Sequence, residues 1–244
     1  MTLRVILGLL LAAIPVGVLY VFDRRLLRTF LVSTVRMVLQ LLVLCLMVWV
    51  LVRYDRWWLS VLWLAAMAGW GTFMTARRKR LPSRLLPAVG LGGFGGTLLV
   101  GFYLLFVVLP LRIGMDARWF VPVMALLLGH TLTMTVNGLS AYVSAVEEGG
   151  PQYEFLRGNG ASHLKAVMPL VRRAFQAVLA PTAASLSELG LYTMPLLLCG
   201  IFLGGVQPVN VFVVSVMLIL GCVASSVVAL ALALWLSDRK KLKI

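Results

Sequence analysis

The chain alternates long apolar stretches with short polar ones, which is the pattern of a polytopic membrane protein. A helix needs about 20 mostly apolar residues to cross the ~30 Å hydrocarbon core of a bilayer, because it rises about 1.5 Å per residue. We therefore predict an all-α fold in one transmembrane domain, residues 1–244, with about seven helices. The predicted spans are Leu3–Phe22, Thr29–Val52, Trp57–Ala76, Leu86–Leu109, Phe120–Val146, Ala174–Leu198 and Val209–Leu236.

The basic residues predict the orientation of these helices. Sixteen of the 22 Lys and Arg residues lie in alternate connections or in the tail, and only four lie in the intervening connections. Cytoplasmic loops are enriched in Lys and Arg, so we expect an outside N-terminus and a cytoplasmic C-terminus in the inner (plasma) membrane. The sixteen are Arg24, Arg25, Arg28, Arg77, Arg78, Lys79, Arg80, Arg84, Arg157, Lys165, Arg172, Arg173, Arg239, Lys240, Lys241 and Lys243.

The composition excludes several classes of protein. Hydrophobic residues make up 61% of the chain and charged residues only 12%, whereas a soluble domain carries about 25% charged residues. The net charge of +14 lies near span ends, so we expect contact with anionic membrane lipid and no nucleic-acid partner. The sequence has no Walker-type Gly-Lys-Ser/Thr loop and no nucleophile–base set. We therefore expect neither a catalytic site nor a cofactor in this chain.

The fourth predicted span is rich in glycine. Gly92 and Gly96 lie four residues apart, which places two small residues on one helical face and favours close helix packing. A ligand-contacting role for this face is the alternative.

The longest polar interruption, residues 147–173, is predicted to be a cytoplasmic loop. Its sequence predicts a helix break at Gly149-Gly150-Pro151, followed by a short helix that ends at Gly158-Asn159-Gly160. A second helix, with Ser162 as its N-cap, is predicted to follow. Because the loop combines apolar and charged side chains, it is suited to docking a partner. An ordinary loop lying in the lipid headgroups is the equal alternative.

This loop resembles the cytoplasmic coupling loop of ABC transporter membrane subunits. More narrowly, the chain is similar to the small single-domain permease family typified by the Fet-type bacterial iron exporter and its plant aluminium-tolerance relatives. The resemblance extends from about Gly129 to the end of the chain, with a weaker similarity at Arg36 and Gln40. The matching blocks are Gly129 to Thr133, Glu154, Asn159-Gly160-Ala161, Pro169 to Ala174, Pro181-Thr182 and Met194 to Gly205.

The sequence departs from the family pattern where a substrate would pass. Ile201 replaces a glutamine of the family, Leu197-Leu198-Cys199 replaces Met-Met-Thr, and His130 replaces an asparagine. The resemblance therefore implies a transporter, whereas iron as its substrate does not follow from these residues.

The resemblance implies a permease subunit that couples ATP hydrolysis by a separate ABC ATPase to solute transport, with ATP and Mg bound by the ATPase. It also implies a homodimer paired with two ATPases, and export of iron or another metal ion. Export of a non-metal solute (organic or nucleotide-sugar) and a non-transporting membrane scaffold for an ATPase are the alternatives. The residues implied in ATPase coupling are Glu154, Phe155, Leu156, Arg157, Gly160, Ala161, His163 and Pro169.

Polar residues inside the spans are the candidates for a substrate path. His130, Thr133 and Asn137 share a helical face by their spacing, and interhelical hydrogen bonding explains such a face as well as a permeation path does. Glu188 lies about four turns into a span, where a carboxylate costs on the order of 2.5–3.5 kcal/mol. It is expected to line a cation or proton path, to pair with Arg36, or to be protonated and hydrogen bonded. Gln40 and Cys199 complete the set, and metal ligands stay unassigned.

Overall fold

The computed structural model describes residues 13–22, 24–54, 56–79, 81–108, 117–188 and 207–239. Helices make up nearly all of these residues, and no strand occurs among them. This confirms the all-α prediction for the described part of the chain. The chain forms two compact units, residues 1–54 and residues 55–244.

The first unit contains helix α1 (Ala13–Phe22) and helix α2 (Arg24–Tyr54). An arginine stacks on an aromatic ring near each end of α2: the guanidinium of Arg24 lies 5.4 Å from the ring centre of Tyr20, and that of Arg53 lies 5.4 Å from the ring centre of Trp49. Aromatic rings and long basic side chains both favour the membrane–water interface. The two pairs therefore suit the two ends of a span.

The described residues of the second unit form five helices, and a short turn of 3₁₀-helix (Ser83–Leu85) precedes the second of them. A turn of π-helix (Leu104–Val108) follows that same helix. The five are α3 (Trp57–Arg78), α4 (Leu86–Tyr103), α5 (Ala117–Gly158), α6 (His163–Glu188) and α7 (Pro208–Arg239).

Five segments among the described residues are long and apolar enough to cross a membrane: Arg24–Tyr54, Trp58–Arg78, Ser83–Val108, Phe120–Gly149 and Val209–Ser237. They correspond to the second, third, fourth, fifth and seventh spans predicted from the sequence. The first predicted span, Leu3–Phe22, and the sixth, Ala174–Leu198, lie only partly within the described residues. The total of seven therefore stays a prediction.

A close helix contact in the second unit joins α4 to α7 through glycines. A Cβ atom at Gly96 would lie 2.7 Å from the Cβ of Ala229, and one at Gly92 would lie 2.9 Å from the Cβ of Ala233. Because neither glycine has a side chain, the two backbones approach each other in antiparallel register. The predicted packing role of Gly92 and Gly96 is thus confirmed.

Leu132 of α5 joins three helices. Its side chain is buried, and its two methyl groups point at Gly71 of α3 and Gly93 of α4. A Cβ atom added at Gly71 would lie 2.8 Å from the Leu132 side chain, and one added at Gly93 would lie 2.5 Å from it. The leucine therefore fills a hollow that two glycines leave open.

Helix α6 packs back along α5. Gly149 of α5 lies against Leu170, and Gly138, about three turns earlier, lies against Val178, so the two helices are antiparallel. Leu230 of α7 also contacts Gly138. Three helices thus meet at this one glycine.

The helix directions bring the basic clusters together at one end of the second unit. Helices α4 and α6 run opposite to α3, α5 and α7, so the C-terminal ends of those three helices share one end. The side of the membrane that this end occupies stays a prediction. The basic residues at this end are Arg77, Arg78, Lys79, Arg84, Arg157, Lys165, Arg172, Arg173 and Arg239.

We expect Gly96→Ala to destabilise the chain by about 1–3 kcal/mol, the usual effect of overpacking a filled contact. Gly95→Ala is the matched control on the same helix, because its Cβ would meet only the Cδ1 atom of Leu232, at 3.4 Å. Thermal unfolding of both purified variants in one detergent measures the difference. Equal melting temperatures would contradict the close α4–α7 contact.

Candidate functional site

Helices α5 and α6 form a hairpin at the basic end of the second unit. The candidate span in α5 ends at Gly149, whereas the helix continues to Gly158, nine residues and about 13 Å farther. Helix α6 begins at His163 and returns along α5. We name residues 150–169 the hairpin tip.

The helix break predicted at Gly149-Gly150-Pro151 is wrong, because α5 is continuous through these residues. Tertiary packing explains the continuity. A Cβ atom at Gly149 would lie 3.1 Å from the Cδ2 atom of Leu170, so the glycine is a packing position against α6. Beside it, Arg173 donates a hydrogen bond to Glu148 over 3.2 Å. Both side chains of this ion pair are exposed, so it adds little stability.

The helix stop predicted at Gly160 is confirmed, and its geometry is a Schellman motif. Gly160 has φ +81°, a conformation that glycine adopts without steric cost. The N–H of Ala161 donates to the carbonyl of Leu156 at 3.0 Å, and the N–H of Gly160 donates to the carbonyl of Arg157 at 3.1 Å. The Arg157 guanidinium donates in turn to the carbonyl of Ala161 at 3.3 Å. The turn therefore satisfies its own backbone groups.

Tyr153 joins the two arms of the tip. Its hydroxyl lies 3.0 Å from Nδ1 of His163, and the two rings meet edge to face. His163 belongs to the predicted coupling set, whereas Tyr153 does not. A periodicity argument has no means of finding a contact that spans ten residues and a turn.

The tip displays large apolar side chains. Leu164, Phe155 and Met168 are 73%, 70% and 60% exposed, and charged Glu154 and Lys165 lie among them. Pro169 is exposed as well, while Leu156 and Ala161 are half-buried. A cavity of about 200 Å³ adjoins the tip, lined by residues that include Tyr142, His163, Leu164, Met168, Leu234 and Trp235.

Helix α5 also carries a polar face within its span. Gly129, Thr133 and Ser144 are exposed, and His130, Asn137 and Ser140 are half-buried. These six residues lie within about 100° of the helix circumference at 100° per residue and extend about 22 Å along the axis. We name them the α5 polar face. The structure thus brings His130, Thr133 and Asn137 together, as their spacing predicts.

The other side of His130 faces a row of hydroxyl groups between α5 and α7. His130 Nδ1 lies 3.0 Å from Ser226 Oγ, and Thr131 Oγ1 lies 2.7 Å from Ser225 Oγ. Both serine hydroxyls donate to the carbonyl of Cys222, at 3.0 Å from Ser225 and 2.8 Å from Ser226. Neither serine is among the residues predicted from the sequence. The signal that could have identified them is the presence of two adjacent polar residues inside the last apolar span.

The side chains of the remaining substrate-path candidates lie in the first unit or outside the described residues, so their part in a path stays a prediction. Arg36 and Gln40 are exposed on α2 in the first unit. The backbone of Glu188 ends α6, and its side chain lies outside the described residues, as does all of Cys199. Within the described ranges, no group of three or more His, Cys, Asp or Glu side chains could hold a metal ion.

We expect Gly160→Ala to loosen the hairpin turn, because a left-handed backbone costs a residue with a Cβ roughly 1–2 kcal/mol. Amide hydrogen exchange around residues 156–166 should then accelerate about 5–30-fold. Gly158→Ala is the control, since Gly158 does not have a positive φ and has open space around it. Equal exchange rates in the two variants would contradict the role of Gly160.

Comparison with known proteins gives one match. The model of a family described as Uncharacterised protein family (UPF0014) matches residues 2–242. No curated protein and no solved structure shows significant similarity to the chain. The match covers nearly the whole chain, including both units and the hairpin. The chain therefore belongs to the UPF0014 family, a membrane permease-like family linked to ABC transporters.

Proposed function

We propose that this chain is the membrane permease subunit of an ABC transporter and that a separate ATPase subunit docks on the hairpin tip. The observation that carries the proposal is the tip itself. It extends the longest described helix about 13 Å past its span and displays Phe155, Leu164 and Met168 to the surroundings.

The composition of the tip favours a protein partner. Exposed apolar patches rimmed by polar residues are typical of protein interfaces, and aromatic residues and methionine are enriched there. Phe155 has Glu154 and Arg157 as close neighbours, and Leu164 has Lys165. The partner would bind ATP and Mg, since the chain has no phosphate-binding loop of its own.

Movement at the tip can reach the membrane through one rigid element. Helix α5 has 42 residues and is about 63 Å long, so the tip and the α5 polar face lie on the same helix. Leu170 packs against Gly149 and Val178 against Gly138, which couples α6 to the motion. ATP-driven closure of the ATPases would tilt both helices and switch the access of the polar face, as in other rigid-body transitions.

The proposed assembly is a homodimer with two ATPases in the inner (plasma) membrane. The basic end of the second unit would face the cytoplasm, as the positive-inside rule requires. The dimer is proposed because a polar face is unfavourable against lipid tails. A second copy covering that face would form the solute path between the two chains.

Export of iron or another metal ion is the substrate hypothesis that the resemblance implies. In the described residues, the α5 polar face offers one imidazole, an amide and hydroxyl groups rather than a cluster of metal ligands. Export of an organic or nucleotide-sugar solute is the second hypothesis, because hydroxyl and amide groups suit a polar organic molecule.

We expect Phe155→Ala to reduce ATPase binding about 5–30-fold, the effect of losing 1–2 kcal/mol from an interface centre. Phe212→Ala is the matched control, because Phe212 is 68% exposed but lies at the opposite end of the second unit. The wild-type chain should co-purify with a P-loop ATPase in stoichiometric amount. Titration of that ATPase against each variant in nanodiscs then gives the two affinities. Equal losses in both variants, or none in Phe155→Ala, would contradict docking at the tip.

A transporter and a scaffold differ in solute-stimulated ATPase activity. For a transporter, we expect some solutes in a panel of metal ions and polar organic molecules to stimulate the reconstituted complex. His130→Ala should abolish that stimulation without loss of assembly, because it changes the polar face and leaves the tip intact. Absence of stimulation by every solute, with the complex fully assembled, favours the scaffold.

A further inference from the structure

In the row of hydroxyl groups between α5 and α7, the partners determine which group donates each hydrogen bond. A carbonyl oxygen only accepts, and a serine hydroxyl has a single proton to donate. Ser226 Oγ lies 2.8 Å from the carbonyl of Cys222 and 3.0 Å from Nδ1 of His130. Since the serine proton points at the carbonyl, the serine oxygen is left as an acceptor towards the imidazole.

The nitrogen that faces Ser226 must therefore carry a proton. This contact makes Nδ1 the donor and Ser226 Oγ the acceptor. In the neutral imidazole one nitrogen is a donor and the other an acceptor, so a neutral His130 presents a free lone pair at Nε2. This is the opposite of the form that the neutral histidine side chain favours in water, where Nε2 carries the proton.

His130 also has an open side. The residue is half-buried, and its neighbour Gly129 is exposed, with no described residue within 4 Å of where its Cβ would lie. Thr133, one turn along the same face, is exposed and uses its own proton on the carbonyl of Gly129, at 2.9 Å. In the Nδ1–H form, the lone pair of the half-buried His130 lies at Nε2, the ring nitrogen that does not contact Ser226, and its neighbours Gly129 and Thr133 on the α5 polar face are exposed.

We infer that Ser226 is a positioning residue that holds His130 in the Nδ1–H form, so that Nε2 serves as an electron-pair donor site on the α5 polar face. Such a site recognises a cation or an N–H or O–H donor, and it rejects an anion. A ligand-binding histidine is commonly oriented in this way by a hydrogen bond at its other nitrogen. The ligand assignment rests on the proposed function, whereas the hydrogen-bonding state of His130 does not.

The hydrogen-bonding state can be measured directly, because the chain contains only two histidines, His130 and His163. The full chain, labelled with ¹⁵N in the histidine rings, is placed in nanodiscs in slightly alkaline buffer. His163 is exposed, so its signals are identified by a water-soluble paramagnetic agent and by their loss in His163→Gln. The ¹⁵N shifts of His130 should then show a protonated Nδ1 and an unprotonated Nε2.

Two adjacent serines give a matched pair of variants. Ser226→Ala removes the acceptor at Nδ1 and should shift His130 towards the Nε2–H form. Ser225→Ala removes a hydroxyl bonded to the same Cys222 carbonyl and to Thr131, and it should leave the His130 spectrum unchanged. A wild-type spectrum with Nε2 protonated would overturn the inference, as would equal spectra of the two variants.

Three probes test the ligand class on the same labelled chain: Zn²⁺, methylammonium and inorganic phosphate. Zn²⁺ represents a metal cation and methylammonium represents an N–H donor. At least one of them should change the ¹⁵N shift of His130 Nε2 in the wild type. The shift should weaken in Ser226→Ala, and phosphate should have no effect. A response to phosphate alone, or to none of the three, overturns the ligand assignment even if the ATPase is found to dock at the tip.

Discussion

The second unit depends on the close approach of α4 and α7 at Gly92 and Gly96. In a bilayer no hydrophobic effect drives helices together, because lipid tails are as apolar as leucine side chains, so close van der Waals contact must hold them. The glycines let Ala229 and Ala233 lie directly on the α4 backbone. Ser226 lies one turn before Ala229 on α7. The contact between α4 and α7 therefore also determines the position along α5 at which the serine hydroxyl groups of α7 meet that helix.

Helix α5 connects the two features of functional interest. Its middle carries the α5 polar face and its end forms the hairpin tip, with no interruption between them. Gly138 and Gly149 keep α6 close along this length, so the tip is an extension of the packed bundle rather than a separate loop. An element of this kind transmits a displacement with little bending. This is the mechanical reason to place the partner at one end of α5 and the solute near its middle.

The features predicted correctly from the sequence are those that depend on local rules. The apolar stretches follow from the thickness of a bilayer, the Gly160 stop follows from the conformational freedom of glycine, and the shared face of His130 and Asn137 follows from the helix period. The predicted break at Gly149 failed because packing against Leu170 overrides a weak local propensity. Contacts between α5 and α7 span more than 90 residues, and no local rule specifies their register.

The chemistry of the α5 polar face suits an element that changes its surroundings. Within residues 120–146 the helix carries hydroxyl groups, an amide and one imidazole, and no carboxylate. A charged side chain at the centre of a bilayer costs about 2.5–3.5 kcal/mol on insertion scales, whereas interhelical hydrogen bonds of neutral groups contribute only about 0.6 kcal/mol each. The hydroxyl groups of Thr133 and Thr135 also donate to carbonyls of their own helix. Such a face can exchange a protein neighbour for water without a large penalty, which is what the proposed switch in access requires.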